Sequence, residues 1–420
     1  MTAKNIGNYA DNILETGLLI TAAFSLADFV IRRLGLPPAL AAGWDEILLI
    51  ILLGAWLVRA AAQRRLSLAA PRVNRALAAV AVTALLSLAV NRVPPAIGFE
   101  AMRVLLQAAI FYLVAANCIR DGRQLRQLVT VMLVAVTIVA AYGVFQYAVG
   151  VETPKRWVVS EFETLIKTRV FSTIGNPNAL GGYLVLFLPL ALTFALDAKE
   201  RLPRLLCGGA AAIMFFCLLF TFSRGAWVGF LASLVLLAVW KDRRILLALG
   251  VGLLLLPVLM PAVVSRMLFI FSPEYLRMSY TWGRLRFWLT ALEKIRRHPL
   301  FGVGLGTFGD TVAMRHNLPG AIWVDNHYLK LGAEMGLPGL AAFLWLTGEA
   351  VRTGWIGRRE VRNDYYRSLL TGITAGLVAV SVQNLTASIW EVLIVGAYWW
   401  FLAGVQAAVG RIDRLEREGQ

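Results

Sequence analysis

Cysteine is scarce in this chain and histidine equally so, with three of each in 420 residues. Cys118, Cys207 and Cys217 fall in or at the edge of long apolar runs, where thiols behave as small hydrophobes, so they carry no redox or metal role in this reading. His298, His316 and His327 show no carboxylate–histidine spacing of the kind metal sites use, and neither a metal nor another cofactor is expected. Acidic residues are few, 25 against 41 Lys and Arg, which leaves a formal net charge of +16. No Pro-rich or Gly/Ser-rich linker divides the sequence and no internal repeat organises it, so a single domain over residues 1–420 is expected. The start, MTAKNIGNYADN, lacks a basic n-region and an A-x-A cleavage signal. The first apolar run is therefore expected to be an uncleaved helix with no soluble domain ahead of it.

Apolar residues are abundant: they make up 59% of the chain, and the mean hydropathy is +0.68. Runs long enough to cross a bilayer, which takes about 20 mostly apolar residues, centre near residues 24, 53, 82, 108, 138, 188, 212, 232, 254, 346, 376 and 399. Their length and Leu/Ala richness predict helices, because barrel strands would be shorter and would alternate in polarity. The expected fold is an all-α polytopic integral membrane protein of about 12 transmembrane helices, with a long helical outer loop over residues 265–336, between spans 9 and 10.

Charge sets the expected orientation. Alternate connections carry the basic clusters Arg59, Arg64, Arg65, Arg72 and Arg75; Arg120, Arg123 and Arg126; Lys199, Arg201 and Arg204; Lys241, Arg243 and Arg244; and Arg358, Arg359, Arg362 and Arg367. The positive-inside rule makes these cytoplasmic, and Arg411, Arg414 and Arg417 place the C-terminal tail with them, so both termini are expected inside. Orientation and membrane lipid explain this charge better than nucleic acid does.

The opposite connections include two long segments, 150–177 and about 265–336, which compact loops would not contain without a function. Against the bias they hold, with the short turn at Arg224, Lys155, Arg156, Lys167, Arg169, Arg266, Arg277, Arg284, Arg286, Lys294, Arg296, Arg297, Arg315 and Lys330. Such an excess suits an anionic ligand at the outer leaflet, and a diphosphate fits guanidinium forks well.

Four motifs concentrate the chemistry. In RVFSTIGNPNALGGYL, the turn Gly175-Asn176-Pro177-Asn178 precedes the sixth span and Asn178 is a candidate helix cap, so Asn176 and Asn178 beside Arg169 form a candidate anion site. TFSRGAWVGF puts Arg224 at a tight outer connection next to hydrocarbon, where a charge is expensive. A helix is predicted from Trp282 to His298, ended by Pro299, with Leu285, Trp288, Leu289, Leu292 and Ile295 as its apolar stripe. Arg284 borders that stripe and Arg286 points toward the polar face, which makes Arg284 the better diphosphate ligand. The glycines of PLFGVGLGTFG could allow close approach to a ligand, although no phosphate-loop ending follows them. Finally, in VDNHYLKLGAEMG, Asp325 is a candidate N-cap that would place His327 in a helix's first turn, where the dipole favours the neutral, proton-accepting ring.

These segments, in this order over about residues 169–345, resemble the O-antigen ligase and O-antigen polymerase superfamily of bacterial envelope glycosyltransferases. The resemblance implies a GT-C-type inner-membrane enzyme that takes a glycan from an undecaprenyl-diphosphate carrier at the periplasmic or extracellular face. It implies Arg169, Arg224 and Arg284 as the diphosphate clamp, with Arg286 an alternative close by, and His327 as the base that activates the acceptor hydroxyl. Asp325 and Asn326 join the expected substrate site. The expected reaction is a metal-independent, inverting single displacement onto lipid A-core or a similar glycan acceptor. A polymerase that extends lipid-linked glycans and a lipid-linked oligosaccharide flippase are the alternatives.

Overall fold

The computed structural model describes residues 3–64, 68–154 and 168–418; Arg65, Lys155, Arg156 and Lys167 lie outside the described residues. Among those described the chain is helical, without a β-strand. In order come α1 (Ala3–Ala22), α2 (Phe24–Ile31), α3 (Pro38–Ala62), α4 (Pro71–Val90), α5 (Pro95–Leu106), α6 (Ala109–Cys118), α7 (Gly122–Ala148), α8 (Pro177–Asp197), α9 (Arg201–Phe220) and α10 (Arg224–Trp240). They are followed by α11 (Arg244–Leu259), α12 (Pro261–Leu268), α13 (Pro273–Trp282), α14 (Arg284–Arg297), α15 (Asp310–Arg315), α16 (His327–Glu360), α17 (Asp364–Gln383) and α18 (Leu393–Glu418). Helices α3, α4, α5, α8, α12 and α13 open with proline in the first turn, where its fixed φ suits the helix and its missing N–H leaves no bond unmade.

Each expected span centre falls in or beside a helix, but not every helix meets the requirements of a span. Among the described residues eight spans are long and apolar enough to cross a membrane, with α5 and α6 counted together, and ten if α1–α2, bent by 84°, and α11–α12, bent by 100°, each count as one. Helix α10 has only 17 residues. Helix α17 is rich in small and polar residues because it is the packed centre of the bundle, with Ser368, Thr371 and Thr374 buried. Glycines on α17 and on its neighbour let backbones approach: a Cβ on Gly376 would stand 2.1 Å from the Leu186 carbonyl oxygen of α8, and one on Gly229 of α10 would stand 2.4 Å from that of Ala379 in α17. Helices α8 and α18 are largely buried by their neighbours, whereas α4 and α9 expose most of their surface and form the rim.

The helices run between two ends. At one, Asp11 of α1 lies 3.5 Å from Arg59 and 3.6 Å from Arg120, Arg411 of α18 donates to the Ile119 carbonyl at 2.6 Å, and Lys241 pairs with Asp197. The basic connections and the outer turns of α1 and α18 therefore share that end. At the other, Val170 N–H donates to the Phe220 carbonyl, Asn91 Nδ2 to that of Phe301, and His327 N–H to that of Asn384. Both long segments singled out in the sequence make bonds there, and Arg169 and Arg266 from the two hold the adjacent Thr221 and Phe222 carbonyls.

Helix α14 divides the predicted stripe between two faces. Trp288 and Ile295, with buried Ala291, pack inward on Phe308, Val324 and Ala333, whereas Leu285, Leu289 and Leu292 are exposed. The glycines that follow allow close approach of the chain to itself. Gly302, Gly304 and Gly306 have φ of 63°, 111° and 80°, and a Cβ on Gly302 would stand 2.3 Å from the Glu334 backbone. This loop is pressed against α16 where that helix breaks, at Gly336 (φ 73°) just ahead of Pro338.

Candidate functional site

The connection between α17 and α18, residues 384–392, joins the predicted motifs. Asn176 caps α8, its side chain accepting from Asn178 N–H at 2.8 Å and Ala179 N–H at 3.2 Å. Asn178, expected to be the cap, instead offers its Oδ1 to Arg169 Nη2 at 3.3 Å, because the αL turn at Gly175 (φ 79°) starts the helix two residues earlier. Arg169 is buried, and its Nε donates to the Thr221 carbonyl at 3.2 Å. Gln383, at the end of α17, donates to the Asn178 carbonyl at 2.9 Å, and Thr386 packs on Gly225, next to Arg224.

Arg224 opens α10, its guanidinium 4.9 Å from the Tyr275 ring centre and its Nη1 3.5 Å from the Arg266 carbonyl. Arg266 is itself buried, with Nε 2.7 Å from the Phe222 carbonyl. Buried guanidiniums thus hold the two carbonyls of one turn, Thr221 and Phe222, just ahead of Arg224. Phe222 takes φ of 50°, and Ser172, Asp310 and Asp325 are also left-handed without being glycine. Conformations of this kind persist only where the surroundings enforce them, and they cluster at functional sites.

On the opposite side Arg284 Nε pairs with Asp325 Oδ2 at 3.0 Å. Asp325 is therefore the partner of Arg284 and not the expected cap. The cap is Asn326, whose Oδ1 accepts from Leu329 N–H at 3.0 Å and makes His327 the first residue of α16. With φ of 52°, Asp325 turns its carboxylate toward α14 and leaves the capping position to its neighbour. Arg286 is not brought to this group: it donates to the Thr281 carbonyl at 2.8 Å and stacks 5.3 Å from Trp282.

His327 is 3% exposed. Its N–H lies 3.0 Å from the Asn384 carbonyl and 3.3 Å from that of Ala387, its ring sits 5.2 Å from Phe343 and 5.3 Å from Trp390, and its Nδ1 is buried without a hydrogen bond. It lines a cavity of about 30 Å³ with Lys330, Leu305, Val312, Trp390 and Glu391. That volume admits water and not a sugar.

Beside His327 lies an ionic cluster that the sequence reading did not identify. Lys330 was grouped there with the cations facing the ligand, but it is 3% exposed and its Nζ lies 3.1 Å from Glu334 and 2.5 Å from Glu391. Glu334 accepts from the N–H groups of Phe308 and Gly309, Glu391 from that of Thr311, and Asp310 from Val324 N–H at 2.8 Å and Ser388 Oγ at 2.6 Å. Burial, followed by the nearby Glu391, pushes the Asp310 carboxyl up to about 7. Burial also acts to raise Glu391, but Lys330 outweighs it and holds that carboxyl below the usual range. A lone glutamate in the apolar stretch SIWEVLIVG was the available signal, because an ionisable group at such a place needs a partner. His316 pairs with Glu100 at 2.7 Å. Among the described residues no group of side chains is arranged to hold a metal ion.

No curated protein matches the chain. A family model described as O-antigen ligase matches residues 209–344, about a third of the chain. The matched stretch contains Arg224, α14 with Arg284, and the opening of α16 with His327, whereas the Arg169 motif precedes it. This multi-pass membrane protein thus matches the O-antigen ligase model over residues 209–344, which supports its place in the O-antigen ligase and polymerase superfamily.

Proposed function

We propose that the protein is an O-antigen ligase-like glycosyltransferase that moves a glycan from an undecaprenyl-diphosphate carrier to an acceptor hydroxyl, on lipid A-core or a similar glycan, at the outer face of the inner membrane. The carrying observation is that three neighbourhoods converge on the connection between α17 and α18: Asn178, which bonds Arg169, meets Gln383; Gly225, next to Arg224, meets Thr386; and His327, two residues after the Arg284 partner Asp325, meets the Asn384 and Ala387 carbonyls.

In this reading the guanidiniums of Arg169, Arg224 and Arg284 hold the donor diphosphate, with Asn176 and Asn178 fixing the turn beside it. The leaving lipid diphosphate gains negative charge as the glycosidic bond breaks, so fixed guanidiniums favour the transition state over the ground state. Asp325 keeps Arg284 oriented while the site is empty. His327 takes the proton of the attacking hydroxyl, a contribution of about 10²–10⁴-fold for a positioned base. In this reading the walls of the small cavity at His327 move apart to admit the acceptor. A single displacement inverts the anomeric centre and needs no metal.

Purified protein with a lipid-linked donor and a lipid A-core acceptor tests the reading. Transfer to the acceptor that persists in EDTA is expected. A longer lipid-linked glycan as the product would replace the ligase by a polymerase, and translocation without transfer would remove the enzyme.

A further inference from the structure

Glu334 belongs to α16, two turns after His327, and Glu391 lies near the end of the connection whose Asn384 and Ala387 carbonyls receive His327 N–H. On α16, His327, Lys330, Leu331 and Glu334 follow helical spacing along one face. Lys330 spans from that face to Glu391 and therefore ties α16 to the connection next to Trp390, against which the His327 ring packs. The carboxylates it balances hold the N–H groups of Phe308, Gly309 and Thr311, and these residues flank Asp310 in the chain just ahead of Val312, which lines the same cavity. A buried ammonium with two carboxylate partners is satisfied by the protein, so Lys330 is no spare cation for a ligand.

We propose that Lys330, through Glu334 and Glu391, is a positioning residue for His327: it locks the first turn of α16, the connection ahead of α18 and the loop 308–311 into one rigid wall of the site. This inference rests on the proposed role of His327. Removing the ammonium leaves buried carboxylates unbalanced; they take up protons or water and loosen the backbone groups they hold. A small displacement of the histidine then lowers transfer without touching the donor site.

Three variants carry the test: Lys330→Met; Glu391→Gln, which keeps an acceptor for Thr311 N–H and leaves the Lys330–Glu334 pair in place; and the neutral triple Lys330→Met/Glu334→Gln/Glu391→Gln. Each is examined for monodisperse folding, donor affinity and single-turnover transfer, alone and in a His327→Ala background. In folded variants donor Kd is expected to stay within about threefold of the parent. Transfer should fall by about 10- to 10²-fold, the scale of a misplacement near 1 Å. In the His327→Ala background the same substitutions should change the rate little, because Lys330 acts through His327. A folded neutral triple or Glu391→Gln enzyme with the parent rate overturns the positioning role, as does an equal fold-loss in both backgrounds. Parent-level transfer by His327→Ala alone overturns the histidine reading itself, and so separates the two failures.

Discussion

Two arginines two residues apart, Arg284 and Arg286, differ in what they face, and that difference is measurable. Arg284 is held by Asp325 beside His327, whereas Arg286 stacks on Trp282 at the outer surface. Replacing Arg284 by Lys keeps the charge and loses the fork, so transfer is expected to fall about tenfold or more in a folded protein, while Arg286→Lys stays close to the parent. Equal rates for the two variants would remove Arg284 from the clamp. His327→Gln retains a hydrogen-bonding side chain but no base, and a loss of about 10²-fold in single-turnover transfer is expected; a near-parental rate across pH 6–8 would leave catalysis to the arginines. Asp310 gives a pH signature. Its folded carboxyl, raised from 3.8 to about 7, contributes stability that is complete below the unfolded value and is lost as pH rises through about 7. Asn at this position can keep the left-handed backbone and accept from Val324 N–H, but it does not titrate. The melting midpoint of the parent should therefore fall more steeply from pH 5 to 8 than that of Asp310→Asn, and parallel profiles would contradict the burial of an ionisable group there.

At the scale of elements, hydropathy placed the helices well and their duties less well. Periodicity identified α14 and its ends almost to the residue, but not that Leu285, Leu289 and Leu292 would remain exposed while Trp288 and Ile295 pack inward, since both rows are apolar. The caps at α8 and α16 were misplaced, Asn178 for Asn176 and Asp325 for Asn326, because adjacent residues of similar capping strength are chosen by backbone φ that the sequence does not display. The Lys330–Glu391 pair was hidden because 61 positions separate its members and only the packing of α16 on the connection after α17 brings them together. Helix α17 shows the same dependence on packing. Gly376→Leu forces a side chain into the Leu186 carbonyl, and overpacking of this kind destabilises by about 1–3 kcal/mol. A lowered melting midpoint in detergent is expected, whereas Gly208→Leu on α9, with nothing within 4 Å of its Cβ, should leave the midpoint nearly unchanged. If both variants melted alike, the close contact of α17 with α8 would be refuted.

For the whole molecule, what matters is which end faces outward. The basic connections, the first half of α1 and the last turns of α18 share one end, and the turn at Phe222, the loop 302–324 and the connection after α17 share the other. The positive-inside rule, applied to this partition, puts Arg362 in the cytoplasm and His316 outside. The proposed reaction needs the same orientation, since it uses the lipid-linked donor at the outer face. Cysteine labelling in intact cells tests it. In a background with Cys118, Cys207 and Cys217 replaced, single cysteines are placed at His316, beside the half-exposed loop that follows α15, and at Arg362, exposed between α16 and α17. A membrane-impermeant maleimide should label position 316 in intact cells and position 362 only after permeabilisation. His316 pairs with Glu100, so retained transfer by the cysteine variant must accompany its labelling for the result to describe the native fold. The reverse pattern, with 362 labelled and 316 silent in intact cells, would turn the molecule over, place the arginines and His327 in the cytoplasm, and defeat the outer-face reaction together with the topology.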